Sequence, residues 1–207
     1  MSSFWVFVLL IVNFGISWFN AYSVGRSWAD SKAVGGWPRF IIWCAAVMSA
    51  CGFTWCYLIV LTFMAGAAGY LSPRYMQLAL EIGYVIIIFP ILGSGFGIWM
   101  DCLTTAYRRR DFASIATAGW NTYAQIHNTY QAASMLPDIF KDIMKGLSEG
   151  DSDDAKGKLV ILALLLVLVA LCGGVFTTIA IVKRTARNYS TGVIHQANSA
   201  YQRARSY

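Results

Sequence analysis

The residues of this chain best able to do chemistry are two histidines, His127 and His195, five cysteines and ten carboxylates. A histidine serves as general base or metal ligand at neutral pH. A CxxC pair holds zinc, and two carboxylates facing one cleft divide acid and base duties between them. The sequence carries none of these arrangements. Cys44, Cys51, Cys56, Cys102 and Cys172 form no CxxC pair, and none stands at ligand spacing from a histidine. Four fall inside apolar runs and Cys102 closes one, which reads as small thiols within or beside a bilayer. His127 has no partner in sight for metal binding or proton transfer. There is no HExxH, no phosphate-binding loop and no nucleophile elbow. The sequence therefore predicts no enzyme, no cofactor and no metal centre.

The reason for this poverty is the solvent. Hydrophobic residues make up 57% of the 207 and charged residues 13%, against roughly 25% charged in soluble domains. Residues 4–22 contain no charge over 19 positions, enough to cross roughly 30 Å of hydrocarbon. A weak signal-peptide site after AYS competes, but the basic segment that should precede it is missing. A polar connection over 23–39 follows, with Arg26, Asp30, Lys32 and Arg39 and the punctuation of Gly35, Gly36 and Pro38. Residues 40–71 are an uncharged run of 32, too short for two spans, hence one tilted or over-long helix. Trp37, Trp43 and Trp55 include its interface anchors. A third span is predicted at 76–100 and a fourth at 159–182. The expectation is an all-α, polytopic integral membrane protein with about four transmembrane helices. Residues 1–100 form a three-span region, 101–158 a polar helical region, and 183–207 a basic polar tail.

Within the spans, Asn13 and Glu81 are the polar candidates. Asn13 can hydrogen-bond across helices. A carboxylate in hydrocarbon costs several kcal/mol, so Glu81 is either an intramembrane proton or ion site or a headgroup-level residue near Arg74. Its place in the first turns of the span favours the second. Asp101, at the end of that span, is interfacial. Ala46 with Ala50, and Ala65 with Gly69, have the spacing that lets helices approach closely. Pro90, followed by Gly93, Gly95 and Gly97, predicts a kink or a locally unwound stretch in the third span.

The polar region has two features. Trp120, Tyr123, His127 and Tyr130 share one helical face, with Asn121, Gln125, Asn128 and Gln131 on the others. That is either a helix packed on the protein or lying at headgroup level, or a face that stacks a ligand or a partner. A second, amphipathic helix is expected near Pro137, capped by Ser134. It presents Ile139, Phe140, Ile143, Met144 and Leu147 against Lys141, Asp142 and Lys145, as interfacial helices do. A polar linker at 146–157 with Glu149, Asp151, Asp153 and Asp154 leads back to the membrane.

Four spans put both termini on one side. The first and third connections then carry ten Lys or Arg and the other side six. By that count the polar region is cytoplasmic and the termini are outside. Lys183, Arg184 and Arg187 conflict with it, whereas Arg108, Arg109 and Arg110 agree. The formal charge of +6 is spread over several flanks, which disfavours nucleic acid and favours anionic lipid. No internal or inverted repeat suggests a transporter. The expected role is a non-catalytic subunit that anchors or scaffolds a larger assembly in a bacterial-type inner membrane. Its expected partners are the bilayer, further copies of itself or other membrane subunits. Secretion, conjugation, phage-related and defence complexes all fit. The alternative is a homo-oligomeric ion channel or small transporter gated at 90–97 with Glu81 as its selective carboxylate.

Overall fold

A computed structural model describes the backbone of residues 3–34, 36–148 and 153–205, and the side chains of 5–28, 36–145, 159–190 and 192. Those residues form five helices and no strand. They are α1 (Ser3–Val34), α2 (Gly36–Ala67), α3 (Pro73–Arg109), α4 (Phe112–Ser148) and α5 (Asp153–Arg205). Four of them, all but α4, are long and apolar enough to cross a membrane. The chain is an all-α polytopic integral membrane protein, because only closed backbone hydrogen bonding suits runs this apolar.

The helix boundaries depart from the expected ones where packing extends a helix. The predicted polar connection at 23–39 is helical to Val34, because Gly25 lets α1 come close to Val182 and Thr185 of α5. Helix α2 ends at Ala67, not at 71. There Gly69 turns the chain with φ +78°, and the Tyr70 and Leu71 amides donate back to the Ala65 carbonyl at 2.9 and 3.3 Å. Helix α3 runs through Pro90, Gly93, Gly95 and Gly97 without losing helical form, so the locally unwound stretch is not there.

The larger correction concerns residues 101–158. In place of two amphipathic helices there is one, α4, with Pro137 inside it. Ser134 does not cap a second helix. Its hydroxyl donates to the Gln131 carbonyl at 3.0 Å within the continuous one. Proline removes one backbone bond, but packing along α3 carries the helix across it. Glu149 and Asp151, the side chains of Asp153 and Asp154, His195 and most tail side chains lie outside the described residues.

Contacts fix the directions. Gly66, Gly83 and Gly97 lie against Met76, Leu58 and Cys44 respectively, which sets α2 and α3 antiparallel. The Trp99 indole donates to Thr122 at 2.8 Å and the Gln125 amide to the Leu92 carbonyl at 3.2 Å, so α4 runs back along α3. Leu58 packs with Val167 and Ala170, while Ser49 meets Thr178 at 3.2 Å, which sets α5 antiparallel to α2. Ala21 packs by Ile181 and the Arg26 guanidinium lies 5.7 Å from the Tyr189 ring centre, so α5 runs parallel to α1. Every helix reverses the one before it. Consequently the start of α1 and the end of α5 lie at opposite ends of the bundle. That separation arises because α4 runs back along α3.

Close contact between α2 and α5 depends on Gly174. A Cβ there would overlap the Thr54 hydroxyl and stand 2.7 Å from the Ala50 carbonyl oxygen and the Thr54 nitrogen. Gly93, by contrast, has nothing within 4 Å of such an atom. Gly174→Val should therefore lower unfolding stability in detergent by about 3 kcal/mol, the upper range for overpacking against backbone. Gly93→Ala should be neutral or stabilising by about 0.5–1 kcal/mol. Equal effects at the two positions would contradict this packing.

Candidate functional site

The buried polar atoms concentrate where α1, α2 and α5 meet. The Asn13 amide donates to the Gly52 carbonyl at 3.2 Å and to Cys56 Sγ at 3.4 Å. The Ser17 hydroxyl donates to the Asn13 carbonyl at 2.8 Å, and Ser49 donates to the Ser17 carbonyl at 2.8 Å while meeting Thr178. Tyr57 and Thr177 join their hydroxyls at 2.8 Å. Each bond between helices contributes roughly 0.6–2 kcal/mol, and together they set the register of three helices. Of the small residues, the Ala50 carbonyl lies under Gly174 and the Ala65 carbonyl closes the turn after α2. Gly69 is a turn residue with open space where a side chain would stand, so it does not bring two helices together.

A lateral groove of about 440 Å³ opens between α1 and α4. Asn13 and Asn20 line it from α1 and Asn128 and Gln131 from α4, over a floor from α2 and α3 that includes Cys51 and Ile88. No lining residue carries a formal charge. Sequence reasoning did not find this groove. Asn20 and Asn128 stand more than a hundred positions apart, and no local pattern links them.

Trp120, Tyr123, His127 and Tyr130 are together on the outer face of α4. Trp120 and Tyr130 are both 69% exposed and Tyr123 61%. The Tyr123 ring stacks on His127 at 5.7 Å with an 18° tilt and lies 6.0 Å from Trp120. The inner face, through Ala118, Thr122, Gln125 and Ala132, lies on α3. Helix α4 is thus packed on the protein by its other side, and its aromatic row is turned outward. Phe140 is also exposed, at 47%.

Glu81 does not stand alone in hydrocarbon. It accepts from the Gln77 amide at 2.7 Å and lines an open hollow with Arg74, Asp142 and Lys145 at one end of the bundle. Pro90 is exposed on α3, while Gly95 faces Gln125 of α4, and Gly97 faces Cys44 and Phe40 of α2. These glycines accommodate neighbouring side chains.

Charge is sorted between the two ends. Among the described side chains, Arg26, Arg39, Arg108, Arg109, Arg110, Lys183, Arg184 and Arg187 gather at one end, and Arg74, Lys141 and Lys145 at the other. The basic cluster at 108–110 and the basic residues 183–187 within α5, which a four-span arrangement separates, are brought together at this end. At the same end the Trp37 indole donates to Asp101 at 2.8 Å. No group of three or more metal-binding side chains occurs among the described residues. No family model, curated protein or solved structure matches the chain.

The turn that launches α4 is made by two residues. Arg110 adopts a left-handed conformation with φ 54°, and the Asp111 carboxylate accepts the Ser114 amide at 2.8 Å. That bond, helped by the Arg109 charge, holds the Asp111 carboxyl below the ordinary aspartate value of 3.8. A depressed folded value means the cap is fully effective above the ordinary value and lost as pH falls through the folded one. Hydrogen exchange should show the first turn of α4 protected near neutrality and losing protection below about pH 4. Asp111→Ala should remove the protection at both. A turn equally protected at every pH would show that the carboxylate does not hold it.

Proposed function

We propose that the chain is a non-catalytic membrane subunit that holds a larger assembly together through the outer face of α4, and that α4 crosses the bilayer as a fifth span. The observation that carries both parts is the lie of α4. It follows α3 for the length of that apolar helix, so its middle sits at the depth where hydrocarbon surrounds α3. Residues 112–137 carry no Asp, Glu, Lys or Arg over 26 positions. A helix of 37 residues spans about 55 Å, ample for the crossing.

A helix so rich in Asn, Gln, Thr and Tyr does not face lipid cheaply. Polar side chains in hydrocarbon need protein partners, and α3 supplies them on one face only. The outer row of Trp120, Tyr123, His127 and Tyr130 offers indole, phenol and imidazole groups to another helix at the same depth. Aromatic residues with one polar handle are those enriched at protein contacts. Five crossings also remove the charge conflict. Among the described side chains, eight basic ones then lie on one side against three on the other, so the positive-inside rule puts the start of α1 outside and the end of α5 inside a bacterial-type inner membrane. Secretion, conjugation, phage-related and defence assemblies remain equal candidates.

Reporters inserted at position 110 and at position 150 test the topology. Opposite sides are expected, with 110 cytoplasmic, whereas the same side for both would exclude the fifth crossing. Photo-reactive groups at positions 123 and 130 in native membranes test the subunit role. They should yield protein adducts, and Tyr123→Ala with Tyr130→Ala should release co-purifying subunits at unchanged thermal stability. Adducts with lipid alone would overturn the assembly role.

A further inference from the structure

At the basic end of the bundle α1, α2 and α5 enclose a cleft of about 410 Å³, within the usual range of ligand sites. Its depth is apolar. Val24 is buried at its floor beside Thr178, and Ala46 forms part of its wall. Its mouth is different in kind. Lys183 and Arg187, one turn apart on α5, stand there with the indoles of Trp28 and Trp43. The two rings meet edge to face with centres 5.6 Å apart, which gives the mouth a rigid amphipathic wall.

We infer that this cleft binds an anionic phospholipid, with an acyl chain in the apolar part and the phosphate at Lys183 and Arg187. An apolar slot below two cations matches an amphiphile with a negative head. The tryptophans mark headgroup level, where their rings settle at membrane interfaces. Basic pockets between helices on the cytoplasmic side take such headgroups. The surroundings favour the anion further, since among the described side chains eight basic ones gather at this end against Asp101 and Asp111. A soluble phosphate would use the cations and leave the slot idle. A zwitterionic lipid would use the slot and set its own cation against Lys183. The inference depends on the membrane fold and not on the assembly role proposed for α4.

The test uses the full chain in neutral detergent, with phosphatidylglycerol and phosphatidylcholine of matched chains and with glycerol phosphate as probes. Retained lipid is read by native mass spectrometry and thermal stability in parallel. Phosphatidylglycerol should be retained and should raise the melting temperature, while the other two probes should do neither. Lys183→Gln with Arg187→Gln should weaken retention about thirtyfold, the effect of two cations near an anionic head. Lys183→Arg with Arg187→Lys should preserve it. Ala46→Phe fills the slot with the cations intact, and should abolish retention. Retention of phosphatidylcholine to the same extent, stabilisation by glycerol phosphate alone, or full retention in the glutamine variant would each overturn the inference. The comparison of lipids on the unaltered chain decides the matter even if a variant fails to fold.

Discussion

The antiparallel pairing of α3 and α4 governs what the rest of the chain can do. A bilayer supplies no hydrogen-bond partner to a side chain, so a polar helix at that depth must find one in protein. Helix α4 finds Trp99 through Thr122 and the Leu92 carbonyl through Gln125. Those two bonds, with buried Ala118 and Ala132 on the same face, seat α4 against α3. Helix α5 must then start from the far end and climb beside α1. Only that direction brings Gly174 under Thr54, Ser49 to Thr178 and Arg26 to Tyr189.

The two contact systems use different physics. Where α1, α2 and α5 meet, the helices approach through glycine and hydroxyl groups, and few atoms separate their backbones. That suits a permanent core, because small residues maximise van der Waals contact where no hydrophobic effect drives helices together. Between α3 and α4 the side chains are longer, polar and uncharged, and they occupy one face of α4 only. The outer face carries indole, phenol and imidazole groups instead, exposed among the described residues. The polar handles of those rings are a different means of contact from the carboxamide and hydroxyl groups that seat α4 on α3.

Much of this was legible in the sequence, for a definite reason. Absence of charge is a local property, so the runs at 4–22, 40–71, 76–100 and 159–182 announce themselves one at a time. The face of Trp120, Tyr123, His127 and Tyr130 is likewise local, since a 3.6-residue period is enough to group it. The direction of α4 is not local. Its 26 uncharged residues from 112 to 137 are too polar to read as a span and too poorly charged to read as a soluble amphipathic helix. Pro137 reads as a boundary by rules derived for helices in water. Gly69 mimics a packing residue at the spacing of Ala65 because that spacing cannot see that the helix has already ended at Ala67. The groove beside Asn20 and the cleft beside Trp43 depend on register between distant helices, which no window of sequence contains.

Counting basic residues over four crossings gave ten against six and left Lys183, Arg184 and Arg187 on the disfavoured side. Counting them after the helices are placed removes the contradiction, since α5 delivers those three to the end that already holds Arg26 and Arg108. With the fifth crossing proposed for α4, the charge rule and the placement of the helices agree. The same sorting gives the cleft between α1, α2 and α5 its cationic mouth. An arrangement set by hydrogen bonding in the middle of the bundle thus decides the electrostatics at its edge, because each reversal of the chain carries every later charge to the opposite end of the bundle.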